Sequence, residues 1–289
     1  MTLPIEKQIK NKAKTKKILK QSLIHLILII AVCVLLYPVA CTVFVSLKST
    51  KEALLSPNTF PTEFHFENFV EAWNVMNYPR VFLNTVLVTA GGLVGVVFIS
   101  SAAAYTIAWS KHIKLYTFFY VFFLCGIMIP FHTSLVPLVN LMADIKFNDS
   151  IWGLIVFYWG RNIPMSVFLF VGFIRGISRE IPEAAKIDGA NLFQIYLKIL
   201  FPMMKPITST IIVLDALAFW NDFLFPRLML VASDNRTIAL AQYYFKGEYS
   251  TQYNIAFAGY VLAALPVLIL YFFMQKYIVK GIAAGAVKG

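Results

Sequence analysis

Three formally charged side chains stand inside long apolar stretches of this chain: Arg161, Asp215 and Asp222. A charge at mid-bilayer costs at least ~2.5 kcal/mol on insertion scales, so such a side chain turns toward protein or water. Arg161 lies in Tyr158-Trp159-Gly160-Arg161-Asn162-Ile163-Pro164, and Asp222 in Trp220-Asn221-Asp222-Phe223. A guanidinium forms paired hydrogen bonds with a carboxylate, amides and carboxylates bond hydroxyls, and Tyr and Trp offer flat apolar faces. This is the chemistry of binding. Two readings of Arg161 stand level: contact with a passing solute, or an intramembrane ion pair with an Asp or a partner subunit. Asp215 precedes Asp222 by seven residues, two turns along one helical face, which suits pairing within a bundle.

A second constellation runs from Glu183 to Pro202, EAAKIDGANLFQIYLKILFP, between two hydrophobic runs. Ser178 to Glu183 reads as a helix start, with Pro182 in the first turn and acidic residues suited to the helix dipole. Ala184 and Ala185 favour helix and carry little bulk, so a partner surface can approach closely. Gly189 ends the first short helix in a left-handed conformation. Asn191 caps a second helix, with Gln194 three residues on as its capping-box partner. Pro202 ends that helix or bends it into the next span. A polar helix-turn-helix between two spans is not needed for anchoring, so it reads as a docking surface for a soluble partner.

Other chemistries lack their residues. His25, His65, His112 and His132 are scattered, with no H-E-x-x-H or comparable cluster. Cys33, Cys41 and Cys125 lie in or beside apolar runs at spacings that fit no metal template, and read as small packed hydrophobes. No G-x-x-x-x-G-K-[ST] occurs, so this chain carries no Walker-type ATP site.

The elements that must hold these residues are membrane spans. The chain has 289 residues, 59% hydrophobic and 13% charged, with a mean hydropathy of +0.72. A water-soluble domain could not hide that much apolar surface. Six apolar segments are expected as spans: Leu23–Val45, Val81–Ala108, Thr117–Val139, Ile151–Phe173, Ile207–Pro226 and Ile255–Lys276. The first, at 23 residues, is too long for a signal-peptide core and reads as a retained span. Residues 1–20 hold seven Lys and one Glu within a net charge of +11. Such a charge could suggest nucleic acid, but basic residues beside spans set topology instead. With the N-terminus inside, the inner segments carry 17 basic residues and the outer ones 7. Both termini are therefore expected in the cytoplasm, with the Glu183–Pro202 loop beside them. Pro38, Pro130, Pro164 and Pro266 can each kink a span. Residues 67–73 read either as a short interfacial helix or as an ordinary connector.

The Glu183–Pro202 pattern resembles the cytoplasmic coupling motif of the membrane subunits of binding-protein-dependent ABC importers. That family has Leu before the final Pro where this chain has Phe201. More of the chain, from about Pro61 to the last residue, resembles sugar-importer permeases such as the second membrane subunit of the maltose transporter. The resemblance includes Trp220 to Phe223 and the tail Gly281-Ile282-Ala283-Ala284-Gly285-Ala286-Val287-Lys288-Gly289. It implies an all-α integral membrane protein with the type I ABC importer transmembrane fold of six helices. It implies that Glu183, Ala184, Ala185, Gly189 and Pro202 couple to an ATPase, with Glu183 paired to a basic residue there. It implies that the kinked region around Arg161, usually uncharged in related sugar permeases, faces the translocation path. That makes Tyr158, Trp159, Arg161, Asn162, Asn221 and Asp222 candidates to line a saccharide path, with Asp222 either structural or bonded to a sugar hydroxyl. A flexible tail containing Gly281, Gly285, Lys288 and Gly289 would reach the ATPase interface.

The expected organisation is a Lys-rich N-terminus (1–22), a six-span domain (23–276) with a coupling loop at 174–206, and a C-terminal tail (277–289). The expected partners are a second homologous permease, two ATP-binding subunits, an extracytoplasmic solute-binding protein and the bilayer of a prokaryotic cell membrane, without nucleic acid. ATP and Mg would sit on the ATPase, and no cofactor, metal or catalytic group is assigned to this chain. The alternatives are a membrane-embedded enzyme, which lacks a catalytic cluster, and a stand-alone secondary transporter, which would show internal repeats.

Overall fold

The computed structural model describes residues 3–109, 113–248 and 252–286, and among them all regular structure is helical. The helices are α1 (Leu3–Ser46), α2 (Thr50–Leu55), α3 (Glu67–Val75), α4 (Tyr78–Trp109), α5 (Ile113–Met128), α6 (Phe131–Asp144) and α7 (Ile151–Ile174). There follow α8 (Glu180–Ile187), α9 (Leu192–Gln194), a π-helical turn (Ile195–Leu200), α10 (Phe201–Met203), α11 (Lys205–Asn221) and α12 (Leu224–Met229). A 3-10 turn at Ser233–Asn235, α13 (Ile238–Glu248) and α14 (Tyr253–Ala286) complete the chain.

Among the described residues, four helical stretches are long and apolar enough to cross a bilayer: Lys16–Ser46, Tyr78–Trp109, Ile151–Ile174 and Tyr253–Phe273. Two bent pairs raise the number to six if each counts as one span. The segment expected as one span over 117–139 is broken: Lys114–Met128 and Phe131–Asp144 meet at 103°. Pro130 lies at the break in extended backbone and has no N–H to continue the ladder. The fifth expected span is also shorter than its apolar run. Leu192–Met203 turns into Lys205–Asn221 at 73°, and α11 stops at Asn221. Asp222 leaves the helix with extended backbone, and its Oδ1 accepts the Leu224 N–H at 3.2 Å. Pro38, Pro164 and Pro266 remain inside continuous helices.

The chain divides into two compact units, residues 1–72 with 249–261 and residues 73–248 with 262–289. In the first, Lys48, two residues past the end of α1, is fully buried. Its ammonium donates to the Ser56 carbonyl and to Thr59 Oγ1, and Glu52 Oε1 lies 3.9 Å away. Asn68 donates to the carbonyls of Ser46 and Lys48, both at 2.9 Å, and accepts from Asn254 at 2.8 Å. Buried donors with partners of this kind hold the loop in one arrangement.

The second unit is built on α4 against α7. Gly91, Gly92 and Gly95 line one stripe of α4 and let large side chains in. A Cβ on Gly95 would fall 2.0 Å from Trp159 Nε1, and one on Gly92 would fall 2.9 Å from the Phe219 ring. Leu154, Val167, Phe170 and Val96 fill the core behind them. At one end of this unit Asp149 accepts the N–H groups of Val231 (2.9 Å) and Ala232 (3.0 Å), fixing the segment after α12. The cysteines differ from expectation: Cys33 and Cys125 are exposed, because α1 and α5 present them outside the chain's own core.

Candidate functional site

The Glu183–Pro202 segment forms two short helices around a glycine turn. Glu183 sits exposed in the first turn of α8, beside exposed Ala184, whereas Ala185 turns inward against Ile195 and Leu200. Gly189 has φ +88°, and an added Cβ would meet nothing within 4 Å. The glycine is there for backbone conformation, not for space. The N–H of Ala190 then returns to the Ala185 carbonyl at 3.0 Å, closing the helix end. Asn191 and Gln194 form the expected capping box, each side chain accepting the other's backbone N–H at 2.9 Å.

The outer edge of this turn is apolar. Ile187 is 87% exposed, Phe193 69% and Leu192 68%. Lys186, Ala190 and Asn191 complete a groove with Leu192 and Phe193. Large apolar side chains left outside in this way form the kind of patch that in general marks a protein or membrane contact.

The inner edge is fixed to α4, which the sequence did not reveal. Ile195 to Leu200 forms a π-helical turn, the distortion that often marks functional positions in helices. It buries Ile195, Tyr196 and Leu200. Tyr196 Oη lies 2.7 Å from Ser101 Oγ, and the Tyr196 ring stacks on Tyr105 at 5.8 Å between centroids. Phe201 stacks on Phe98 at 5.3 Å and 8°. Pro202 lies in α10, just ahead of the 73° bend into α11. Ser100-Ser101 in an apolar span was the available sequence signal for this anchor.

The second constellation gathers where α7 faces α11. Tyr158 donates its phenol O–H to Asp222 Oδ2 at 3.1 Å, and Arg161 Nη1 lies 3.5 Å from the same oxygen. Asn162 Nδ2 donates to Asp215 Oδ1 at 2.9 Å. Asp215, within α11, and Asp222, just past its end, thus meet residues 158, 161 and 162 on one face of α7. The Arg161 guanidinium also sits over the Phe131 ring, 4.0 Å from its centroid. Phe131 opens α6 at the 103° break and packs with Phe157 and Phe225, which stack at 3.5 Å. Phe131 was not singled out from sequence, and Pro130 before it was the signal.

These side chains differ in access. Arg161 remains 39% exposed and Asn221 is exposed, with its amide on the Leu217 carbonyl. Tyr158 is 1% exposed and stacks on Phe219. Trp159 donates to the Gly91 carbonyl at 2.9 Å and fills the notch at Gly95. Tyr158 and Trp159 therefore hold the bundle together, while Arg161 and Asn221 reach its surface. At the C-terminus, α14 continues through Gly281 and Gly285 where glycine spacing suggested a flexible tail. Lys288 and Gly289 lie outside the described residues.

The family model for the binding-protein-dependent transport system inner membrane component matches residues 84–284. The multiple sugar-binding transport system permease protein MsmG of Streptococcus mutans is 34% identical over 269 residues, covering 91% of this chain and 96% of that protein. The melibiose/raffinose/stachyose import permease protein MelC of Bacillus subtilis is 33% identical over 278 residues, covering 96% and 99%. Among solved structures, a bacterial ABC transporter involved in the import of the acidic polysaccharide alginate superposes with a TM-score of 0.76. That match has 23% identity and covers 91% of this chain and 97% of the other, so it speaks to the fold alone. With the family model covering both the Glu183–Pro202 segment and the Arg161–Asp222 cluster, the chain belongs to the family of binding-protein-dependent transport system inner membrane components.

Proposed function

We propose that the chain is one transmembrane permease subunit of an ATP-driven importer for a sugar or oligosaccharide. The observation that carries this is the build of the coupling segment: apolar side chains outside, and Tyr196 and Phe201 locked onto α4 inside. A load placed on Glu183 and its neighbours reaches α4 through the packing of Ala185 on Ile195 and Leu200 and through the contacts of Tyr196 and Phe201. The permease relatives, whose names specify sugars and oligosaccharides, support the substrate class.

Each bent pair acts as one span, giving six, with both termini in the cytoplasm of a prokaryotic cell and the coupling segment beside them. The basic-residue bias supports this orientation. A second, homologous permease completes the path, an extracytoplasmic solute-binding protein delivers the sugar, and two separate ATP-binding subunits hold ATP and Mg. Glu183, Ala184, Ala185, Gly189 and Pro202 belong to the docking element. Closure of the ATPases on ATP draws that element inward and tilts α4, a two-state change biased from a distance. On the path, Arg161, Asn162, Asn221 and Asp222 face the solute, with Tyr158 and Trp159 behind them. Gly281 to Gly289 reach the ATPase interface.

The test is reconstitution of the permease pair with its ATPase and binding protein in proteoliposomes. Uptake of labelled oligosaccharide should require ATP and binding protein together. Uptake driven by an ion gradient without the ATPase would make it a secondary transporter.

A further inference from the structure

The Arg161 cluster carries information about the charge of the solute. Helix α7 contains one basic residue, Arg161, and no acid, while residues 206–226 opposite contain Asp215, Asp222 and no base. The facing segments thus hold one formal positive charge against two carboxylates. The guanidinium is already engaged: Asp222 Oδ2 is 3.5 Å from Nη1, and the Phe131 ring covers one face at 4.0 Å. Asp222 is held in turn by the Tyr158 phenol and the Leu224 N–H, so it is not free to leave Arg161. Its side chain is 11% exposed against 39% for Arg161.

An anionic solute approaching Arg161 would have to compete with a fixed, preorganised carboxylate. Success would leave Asp222 without its counter-charge in a low-dielectric site, which is strongly unfavourable. Failure would place the anion beside two carboxylates and a neutralised cation. An uncharged polyol meets neither penalty. It can accept from the guanidinium N–H groups left open and donate to oxygens at the rim.

We infer that Asp222 neutralises Arg161, the one basic group of the facing segments, so that this part of the path passes uncharged saccharides and disfavours uronates and other acidic sugars. This rests on the saccharide-importer reading above. It assigns Arg161 to the ion-pair alternative and removes it as a docking point for a substrate carboxylate.

The complete transporter, with its own binding protein, is assayed in proteoliposomes with labelled neutral oligosaccharides and with uronate oligosaccharides of matched length. Neutral uptake exceeding uronate uptake by about tenfold or more is expected, since tenfold corresponds to a modest difference in interaction free energy. Uronate uptake equal or faster overturns the inference. A second arm uses Arg161→Gln, Asp222→Asn and the double variant. Each single change leaves one charge unpaired and should lower uptake. The double change removes both and should recover uptake to within about threefold of the parent, because the two effects are coupled. Loss in the double variant as deep as in Arg161→Gln, with Asp222→Asn active, would show that the solute needs the guanidinium charge, and overturns the inference. Should the single variants fail to assemble, the amount of ATPase that co-purifies gives the same comparison. Restored assembly in the double supports the pair, and no restoration counts against it. A transporter that imports only a non-saccharide fails the substrate reading instead. The double-variant comparison, run with that solute, still decides whether the pair is balanced.

Discussion

Tyr196 Oη and Ser101 Oγ lie 2.7 Å apart, joining the π-helical turn of the Glu183–Pro202 segment to the last third of α4, a helix long enough to span the membrane. Ser101 also donates to the Val97 carbonyl at 2.6 Å, so its hydroxyl keeps a partner if the tyrosine is altered. Around this contact, ring stacking by Tyr105 and Phe98 holds Tyr196 and Phe201 in place. The contact lies between the surface proposed to receive force and the helix proposed to move.

Tyr196→Phe keeps the ring and removes only the hydroxyl. A net loss of about 1 kcal/mol in stability is expected, typical of one hydrogen bond whose partner stays satisfied. Uptake per ATP hydrolysed should fall further than stability does, if the contact transmits motion. A thermal melt of the purified complex and a paired uptake and hydrolysis assay separate the two effects. Uptake per ATP equal to the parent's would remove Tyr196 from the coupling route.

Glu183 is exposed on a short helix, so Glu183→Ala should insert, fold and pair with the second permease as the parent does. Retention of the ATPase subunit on the purified permease pair should drop, and uptake with it. Wild-type retention and uptake together would sink the docking role.

At φ +88°, Gly189 occupies a conformation that a side chain resists, in otherwise open space. Gly189→Ala should cost the turn about 1–2 kcal/mol through backbone strain alone. Gly189→Asn should cost less, since Asn tolerates the left-handed region. Limited proteolysis of the 174–206 loop reports the order Gly, Asn, Ala in rising susceptibility. Equal susceptibility of the three would show that the turn relaxes without cost.

The turn at Gly189 was legible because its signals are local. Gly189 ends one helix, and Asn191 with Gln194 starts the next, within six residues. The intramembrane cluster was legible only in its membership. Spacing placed Asp215 and Asp222 on one face, but what faced them lies more than 50 residues away in sequence, as the Asn162–Asp215 and Tyr158–Asp222 separations of 53 and 64 show. The break at Pro130 was visible as a proline but not as a 103° turn, because hydropathy continues unbroken through it. Trp159 suggested a stacking platform, whereas the glycine stripe on α4 claims its indole. That pairing depends on helix packing, which a single sequence does not display.

Gly95→Ala tests that packing. The new methyl would fall 2.0 Å from Trp159 Nε1, so the indole must leave its hydrogen bond to Gly91. A destabilisation of about 1–3 kcal/mol is expected, as for other overpacked contacts. Gly172→Ala is the matched control, a glycine on α7 whose Cβ would meet nothing within 4 Å. It should be neutral or stabilising by up to about 1 kcal/mol from helix propensity. Melting both variants in the same detergent gives the comparison. Equal melting temperatures would mean that α4 and α7 separate freely at this point.

Asp149 supplies the pH dependence. Burial alone would push its carboxyl up, but the N–H groups of Ala232 and Val231 and the Asn235 amide bond the ionised form and hold it below the ordinary carboxylate range. A folded-state pKa below the unfolded one binds fewer protons when folded. The stabilisation is therefore present above the unfolded value of about 3.9 and is lost as pH falls through the lower folded value. Asp149→Asn removes the charge and should melt earlier than the parent at neutral pH. Lowering the pH toward 3 should bring the two curves together, since only the parent still has a carboxylate to protonate. A difference that stays constant from pH 7 to pH 3 would mean that the loop is held by Asp149's shape and not by its charge.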